Sequence, residues 1–459
     1  MIGNSQYKIR PLCVALALVW SGMSVDLHAE QYSLLEAIEK AQSQDPWLDG
    51  SRFRQENLES LSVNAGTLPD PTVSLGLANL PIDSFDFAQE GMTQFKVGVS
   101  QMFPRGKTLA LRQETLEKMS QMQPFAREDR KAQVSVTVAQ LWLEVYRSQK
   151  TIALIQQDRG LFEHLVDVAE SSYTTASGRT RQQDLIRAQL ELTRLEDRLT
   201  MLRQRRESQL AQLGEWLADS SYELDIEMPG RLGEGHLNDP LINETGTVIR
   251  TQKLAQILTA HPKIRSIDQK ISAGESGVKL AKQSYKPQWG INASYGYRDA
   301  DPMGNDRADF FSVGVSLDVP LFTGKRQDKQ VQAATAESEA IKTERTLVLR
   351  QLRSGFETAE SQYRRLLDRR ELYRSRLLKE MSEQAEASLT AYTHDDGDFA
   401  EVVRACIAEL NARIEALNVE VDIHKIVAQL NYFLIPSHKK NSAVLTDASR
   451  ASGELIDHE

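Results

Sequence analysis

One stretch of this chain is written twice. Residues 46–104 recur as residues 262–320 at a constant offset of 216. Pro46 answers to Pro262, Pro71 to Pro287 and Pro104 to Pro320. Val97-Gly98-Val99-Ser100 answers to Val313-Gly314-Val315-Ser316, and Gly106-Lys107 matches Gly324-Lys325 after a two-residue insertion. A period this long marks a duplicated supersecondary unit.

Each copy contains two strictly alternating segments. Val73, Leu75 and Leu77 alternate with Thr72, Ser74 and Gly76, and Phe95, Val97 and Val99 alternate with Gln94, Lys96, Gly98 and Ser100. In the second copy Trp289, Ile291, Ala293, Tyr295 and Tyr297 alternate with Gln288, Gly290, Asn292, Ser294 and Gly296. Phe311, Val313, Val315, Leu317 and Val319 then alternate with Ser312, Gly314, Ser316 and Asp318. Period two with one wholly apolar face predicts a strand between an apolar and a polar medium. Each segment is about ten residues, the length that crosses a bilayer at a tilt near 45°. Phe95, Phe103, Trp289, Tyr297, Phe311 and Phe322 stand at segment ends, where a membrane barrel carries its aromatic girdles. The other structure compatible with this pattern is a soluble antiparallel sheet packed on a helix.

Four strands cannot close a barrel, because even eight leave an interior only just filled by side chains. Open edges cannot face lipid. If these strands span a membrane, several chains share one barrel, and three chains give about 12 strands. The turns between paired strands are acidic, through Asp83, Asp86 and Glu90 and through Asp299, Asp301, Asp306 and Asp309.

After the second strand pair, residues 325–390 hold no proline and one glycine, Gly355. A continuous helix there is about 97 Å long at 1.5 Å per residue. The first copy, from about 107 to 175, carries Pro124, which predicts a kink or restart. Each long helix ends at a turn, Ser177-Gly178-Arg179 or His394-Asp395-Asp396-Gly397-Asp398, and a returning helix follows. Leu185, Ala188, Leu192, Leu195, Leu199 and Leu202 form a heptad seam in one; Val403, Ile407, Leu410, Ile414, Leu417 and Val421 do so in the other. Such seams predict coiled-coil packing. A composition 26% charged and 7% aromatic agrees with long helices.

The ends and charge set further bounds. Lys8 and Arg10, the apolar run 12–20 and the Leu27/Ala29 cleavage pattern predict a signal peptide over 1–29. Cys13 lies within it, leaving Cys406 as the one cysteine of the mature chain. No apolar run of about 20 residues follows, so no transmembrane helix is expected. A net charge of −9 argues against a nucleic-acid partner. No P-loop, GxSxG or HExxH occurs, so neither an enzyme nor a cofactor is expected.

The expected order is therefore as follows. Residues 30–213 form repeat 1, with strands about 71–79 and 93–103 and a tip near 176–180. Residues 214–250 form an inter-repeat equatorial segment. Residues 251–433 form repeat 2, with strands about 287–298 and 309–321 and a tip near 392–398. Residues 434–459 form a partly disordered tail.

With this order the chain resembles the TolC-like outer-membrane efflux proteins over essentially its whole mature length. Leu68-Pro69-Asp70-Pro71 adds to the resemblance. Asn79-Leu80-Pro81 and Gln101-Met102-Phe103-Pro104-Arg105-Gly106-Lys107 look most like the branch serving heavy-metal resistance-nodulation-division exporters. The resemblance implies a mainly α fold with a membrane β-barrel. Each chain gives four strands to a shared 12-stranded barrel and long helices to a periplasmic α-barrel. It implies a homotrimer in the outer membrane of a Gram-negative bacterium, extending into the periplasm. The implied partners are outer-membrane lipid, a periplasmic adaptor and an inner-membrane proton-driven pump, with this subunit a passive duct.

The resemblance also places a gate beside the second tip, where the usual pattern is a tyrosine, a glycine turn and an Asp-x-x-Asp pair. Here Tyr392 starts the turn, Glu401 takes the first acidic position and Arg404 replaces the second. Asp184 and Arg187 stand at the equivalent spacing in the first copy. This departure puts a doubly acidic, cation-selective gate in question; Glu401 and Arg404, at i and i+3, could pair with each other or across protomers. The expected adaptor-docking tips are Ser177, Gly178 and Arg179, and Asp395, Asp396, Gly397 and Asp398. His394-Asp395-Asp396 offers a cation site that turn chemistry explains equally well. Met92, Met102, Met119 and Met122 offer soft ligands that packing explains better, and Cys406 reads as a buried small hydrophobe. No metal site is expected. Two other functions fit the pattern: a duct for drugs or a secreted protein, and a periplasmic coiled-coil adaptor or scaffold.

Overall fold

The computed structural model describes residues 33–174, 182–217, 226, 248–394 and 398–435. The signal peptide, the first tip with Ser177, Gly178 and Arg179, most of the inter-repeat segment, Asp395, Asp396 and Gly397 of the second tip, and the tail from 436 lie outside the described residues.

The chain is mainly helical with one small antiparallel sheet. Helices α1 (Leu34–Ser43) and α2 (Pro46–Ala65) lead into strands β1 (Thr72–Ala78) and β2 (Gln94–Phe103). Two long helices follow, α3 (Thr108–Thr174) and α4 (Gln182–Leu217). The second half has α5 (Val248–Thr259), α6 (Pro262–Lys282), β3 (Gln288–Tyr297) and β4 (Phe310–Asp318). It then has α7 (Gln327–Leu372), α8 (Leu378–Thr393) and α9 (Phe399–Phe433). Helices α2 and α6, strands β1 and β3, and strands β2 and β4 each start 216 residues apart.

Local chemistry sets these starts. Ser33 and Glu36 form a capping box at α1, satisfying two otherwise orphaned backbone donors. Both α2 and α6 open on proline, whose missing N–H costs nothing at the first helical position. Asp45 caps α2 through the Trp47 N–H at 3.0 Å. At the matching place in the second half His261 caps α6 through the Lys263 N–H at 3.2 Å. Asp45 also pairs with Arg130 of α3 at 2.7 Å, whereas the buried His261 ring reaches the Tyr432 carbonyl of α9 at 3.0 Å.

The sheet runs β1-β2-β3-β4, antiparallel throughout, so β1 and β4 are its edges. Its register puts like with like. Val73 faces Val99 and Leu75 faces Val97. Val97 faces Tyr295 and Phe103 faces Trp289. Ile291 faces Val315 and Tyr295 faces Phe311. Because side chains alternate across a strand, this collects most of the large apolar groups on one face, while Met102 and Phe310, opposite Gly290 and Gly296, fall on the other. That face is uncovered: Leu75 is 69% exposed, Val313 63%, and Phe311 and Val315 71% each. The sheet is not packed on a helix.

The helices form a shaft. Helix α3 has 67 residues, about 100 Å at 1.5 Å per residue. Contrary to the expected kink or restart, it is helical without interruption through Pro124. Packing on α2 and α6 overrides the local loss of one backbone bond. Near the proline, Ser51 of α2 donates to Gln123 at 2.9 Å, and Arg127 donates to Gln55 at 2.7 Å. In the second half one π-turn, Tyr373–Leu377, interrupts the expected unbroken helix and separates α7 from α8.

Both heptad seams are buried or half-buried in the core. Ala188, Leu195 and Leu199 of α4 pack with Phe162 and Leu165 of α3 and with Val403, Leu410 and Ile414 of α9. Higher in the shaft Trp142 and Leu143 of α3 pack with Leu210 and Leu213 of α4, Val421 of α9, Ala37 of α1 and Ile226. A third cluster joins Phe356 of α7 to Leu258, Ile264 and Leu430. Ion pairs bind the same helices. Glu144 of α3 pairs with Lys425 of α9, with Arg205 of α4 at 3.4 Å and with Arg147 at 3.7 Å. Burial pushes the Glu144 carboxyl up, but the Lys425 hydrogen bond and the surrounding cations hold it below its ordinary value.

Candidate channel and aperture

The sheet's second face is the candidate channel wall. It carries Thr72, Ser74, Gly98, Ser100, Gly290, Asn292, Ser294, Gly314 and Ser316. Its charges among the described strand residues are Lys96 and Asp318, and Asp318 is paired with Arg105. Crowding explains the glycines. A Cβ on Gly98 would sit 2.7 Å from the Ser74 Oγ, and one on Gly314 would sit 2.8 Å from the Asn292 Oδ1. Tight spacing on the polar face and open space on the apolar face suit a sheet curling towards its polar side.

Aromatics mark both ends of the apolar face. Phe103 stacks on Trp289 at the helical end, ring centroids 4.2 Å apart. At the loop end Phe95 faces Tyr297, which stacks on Phe87 at 6.4 Å. Eight residues separate Phe95 from Phe103, about 27 Å along a strand. The two acidic loops clasp each other. Arg298 donates to the Gly91 carbonyl at 3.0 Å, and Arg307 donates to the Glu90 carbonyl at 3.1 Å.

At the far end of the shaft the expected gate residues do not come out alike. Glu401 and Arg404 are exposed on α9, on the side away from the buried Val402, Val403 and Cys406. Among the described residues they form no ion pair with each other, so the local i, i+3 pair is not made. In α4 Asp184 is 6% exposed, while Arg187 one turn on is exposed. The shared sequence spacing thus hides a difference in burial that only the packing of α4 on α3 and α9 creates. Tyr392 packs edge-on against Phe399 at 5.5 Å, closing the base of the second tip. Asp398 caps α9 by accepting the Ala400 N–H at 3.3 Å. The His394 Nδ1 lies 3.0 Å from the Thr390 carbonyl.

Among the described residues no three His, Cys, Asp or Glu side chains gather as a metal site. Met92 is 54% exposed, Met102 41% and Met119 38%, and the Met102 Sδ packs over Gly290 of the neighbouring strand. Cys406 is buried in the α3–α4–α9 core, and that burial pushes its thiol up. Among the described residues no helix is long and apolar enough to cross a membrane.

Residues 254–434 match the model of the family described as outer membrane efflux protein. A search of curated proteins finds no match to the chain. Solved structures share the fold. The outer membrane protein VceC of Vibrio cholerae matches with TM-score 0.70 at 14% identity, over 87% of this chain and 95% of that one. CusC matches with TM-score 0.70 at 12% identity, over 88% and 92%. The CmeC outer membrane channel of Campylobacter jejuni matches with TM-score 0.70 at 11% identity, over 94% of each chain. The chain therefore has the fold of the TolC-like channels, and its second half matches the outer membrane efflux protein family.

Proposed function

We propose that the chain is the outer-membrane exit duct of a tripartite efflux system, a passive channel working with a periplasmic adaptor and an inner-membrane pump. The observation that supports this best is the sheet. Its apolar face is uncovered, the outer edges of β1 and β4 have no strand partner among the described residues, and it sits on a shaft about 100 Å long. Lipid cannot satisfy open edges, so β1 of one protomer pairs with β4 of the next. Three protomers supply about 12 strands and a water-filled lumen. A periplasmic adaptor or scaffold gives no reason for an uncovered apolar face.

Cysteine pairs test the closure. In a Cys406→Ser background, cysteines placed one at a time along β1 are paired with Val315→Cys on β4. The shared barrel yields crosslinked trimers and no longer ladder, in the outer-membrane fraction. Monomeric chain in the soluble periplasm sinks the reading.

Heavy-metal cations are the proposed cargo, supported by the Gln101–Lys107 segment; drugs or a secreted protein remain the alternative. A deletion strain with unchanged tolerance to copper, silver, zinc and cobalt but lost drug tolerance decides for the alternative. The proposed aperture lies at Glu401 and Arg404, whose side chains are free to meet a neighbouring protomer, and the proposed docking surface lies at the two tips. Buried Asp184 acts there through packing rather than by facing the pore. Glu401→Ala then raises closed-state conductance in bilayers more than Arg187→Ala does, and equal conductance in both removes the assignment.

A further inference from the structure

The polar face of the sheet carries one charge with no counterpart. Lys96 stands on β2 opposite Gly76 of β1 and Gly296 of β3. The next residue on the same face of its own strand, towards the shaft, is Gly98. Three of its four nearest positions on that face are therefore glycine, and the fourth is Gln94. The buried Gln94 side chain lies over Gly296 and donates to the Met92 carbonyl at 3.3 Å. None of the four offers a carboxylate. Lys96 is exposed and forms no ion pair among the described residues.

The other charges on this side are answered. Asp318, at the shaft end of β4, is paired with Arg105. Arg298, the next position past Gly296 on the same side of β3, donates to the Ala308 and Gly91 carbonyls. Asp309 lies beside it and accepts from its backbone N–H at 2.9 Å. Closing the sheet on further copies supplies no counter-charge to Lys96 either. The strand that meets β1 is then β4, whose one carboxylate on the polar face is the already paired Asp318. Lys96 is the third residue of β2, about 7 Å in from the loop end. Cyclic symmetry sets its copies at one level.

We infer that Lys96 sets the charge preference of the barrel lumen, as a ring of three ammonium groups that attracts anionic solutes and repels cations. This rests on the duct reading above. A metal cation crosses that level against repulsion, so its outward passage needs the pump's drive and its return from outside is opposed. An anionic solute gains from the same ring.

Charged thiol reagents entering from the loop side test this without passing the periplasmic aperture. Ser294→Cys, in a Cys406→Ser background, places a thiol on the same face, opposite Gly98 and two residues along from Gly296. The full-length protein is kept in outer-membrane vesicles at about 0.01 M salt, where charges act over about 30 Å. Rates with an anionic sulfonatoethyl and a cationic trimethylammonioethyl methanethiosulfonate are taken as a ratio, which cancels any change in thiol reactivity. Adding Lys96→Gln is expected to lower the anionic-to-cationic ratio at least about threefold, and Lys96→Glu to lower it further. Lys96→Arg keeps the parent ratio. At about 1 M salt, with a screening length of about 3 Å, the difference fades. The same ratio with and without Lys96→Gln at low salt overturns the inference and leaves the duct standing. Ser74→Cys, on the same face of β1, serves instead if Ser294→Cys fails to assemble. Thiols at both positions that neither reagent reaches remove the water-filled lumen, and with it both the duct reading and the ring.

Discussion

The sheet and the shaft obey opposite rules in one chain. In the shaft the large apolar groups are hidden: Trp142 is 1% exposed, Leu143 0% and Phe356 1%. In the sheet they stand outward, with Leu75, Phe311 and Val315 all near 70% exposed. The small and polar groups of the sheet are the crowded ones, down to glycines that leave no room for a Cβ. One chain thus serves two solvents. Water surrounds the shaft, so burial drives its packing. In the proposed duct the sheet keeps its apolar side for lipid.

Substitutions can break this contrast. The largest effect belongs to the shaft core. Trp142→Ala empties the fully packed site among α1, α3 and α4, and is expected to cost about 3–5 kcal/mol, read as a lower unfolding midpoint in urea. Next comes the sheet. Val315→Arg puts a charge at the middle of β4 on the apolar face, costing about 2–4 kcal/mol in a bilayer. Ser312→Arg on the polar face costs about 1 kcal/mol or less. Folding into lipid vesicles measures both, and equal costs erase the distinction between the faces.

A smaller effect tests how closely the shaft helices approach. A Cβ on Gly355 of α7 would lie 2.8 Å from the Phe433 ring of α9. Gly355→Ala is expected to destabilise by about 1–3 kcal/mol through overpacking, visible as a lower melting temperature.

The smallest effect separates the two halves by pH. His261 is held neutral: burial, and secondarily nearby Lys263, lower its pKa from 6.5, against the Tyr432 carbonyl and Asp129. Its Nδ1 accepts from the Lys263 N–H, so a protonated ring loses the α6 cap. The folded state therefore binds its proton less readily than the unfolded chain. Stability is full above pH 6.5 and falls as pH drops from there through the folded value. His261→Asn keeps a capping side chain without a titrating ring. Urea midpoints at pH 7.5 and 5.5 should differ less in that variant than in wild type.

Much of this contrast was legible in the sequence. Strict alternation at Trp289–Tyr297 and Phe311–Val319 reveals a two-faced strand, because period two has no other reading over nine residues. The seams at Leu185–Leu202 and Val403–Val421 reveal buried helix faces for the same reason. Pro124 misleads because a single lost backbone bond is outweighed by packing on α2 and α6. The π-turn at Tyr373–Leu377 has no sequence mark. Asp184 and Glu401 stand at like spacing, yet the burial of one and exposure of the other depend on helices distant in sequence.

The central claim is that the apolar face of the sheet meets lipid and the polar face meets water. Spin labels at Val313→Cys and Ser312→Cys, in a Cys406→Ser background reconstituted in vesicles, test it most directly. Power saturation should show the label at 313 relaxed by oxygen, which concentrates in lipid, and the label at 312 relaxed by a water-soluble nickel chelate. Two labels equally open to the nickel chelate, or the reverse assignment, would contradict the account.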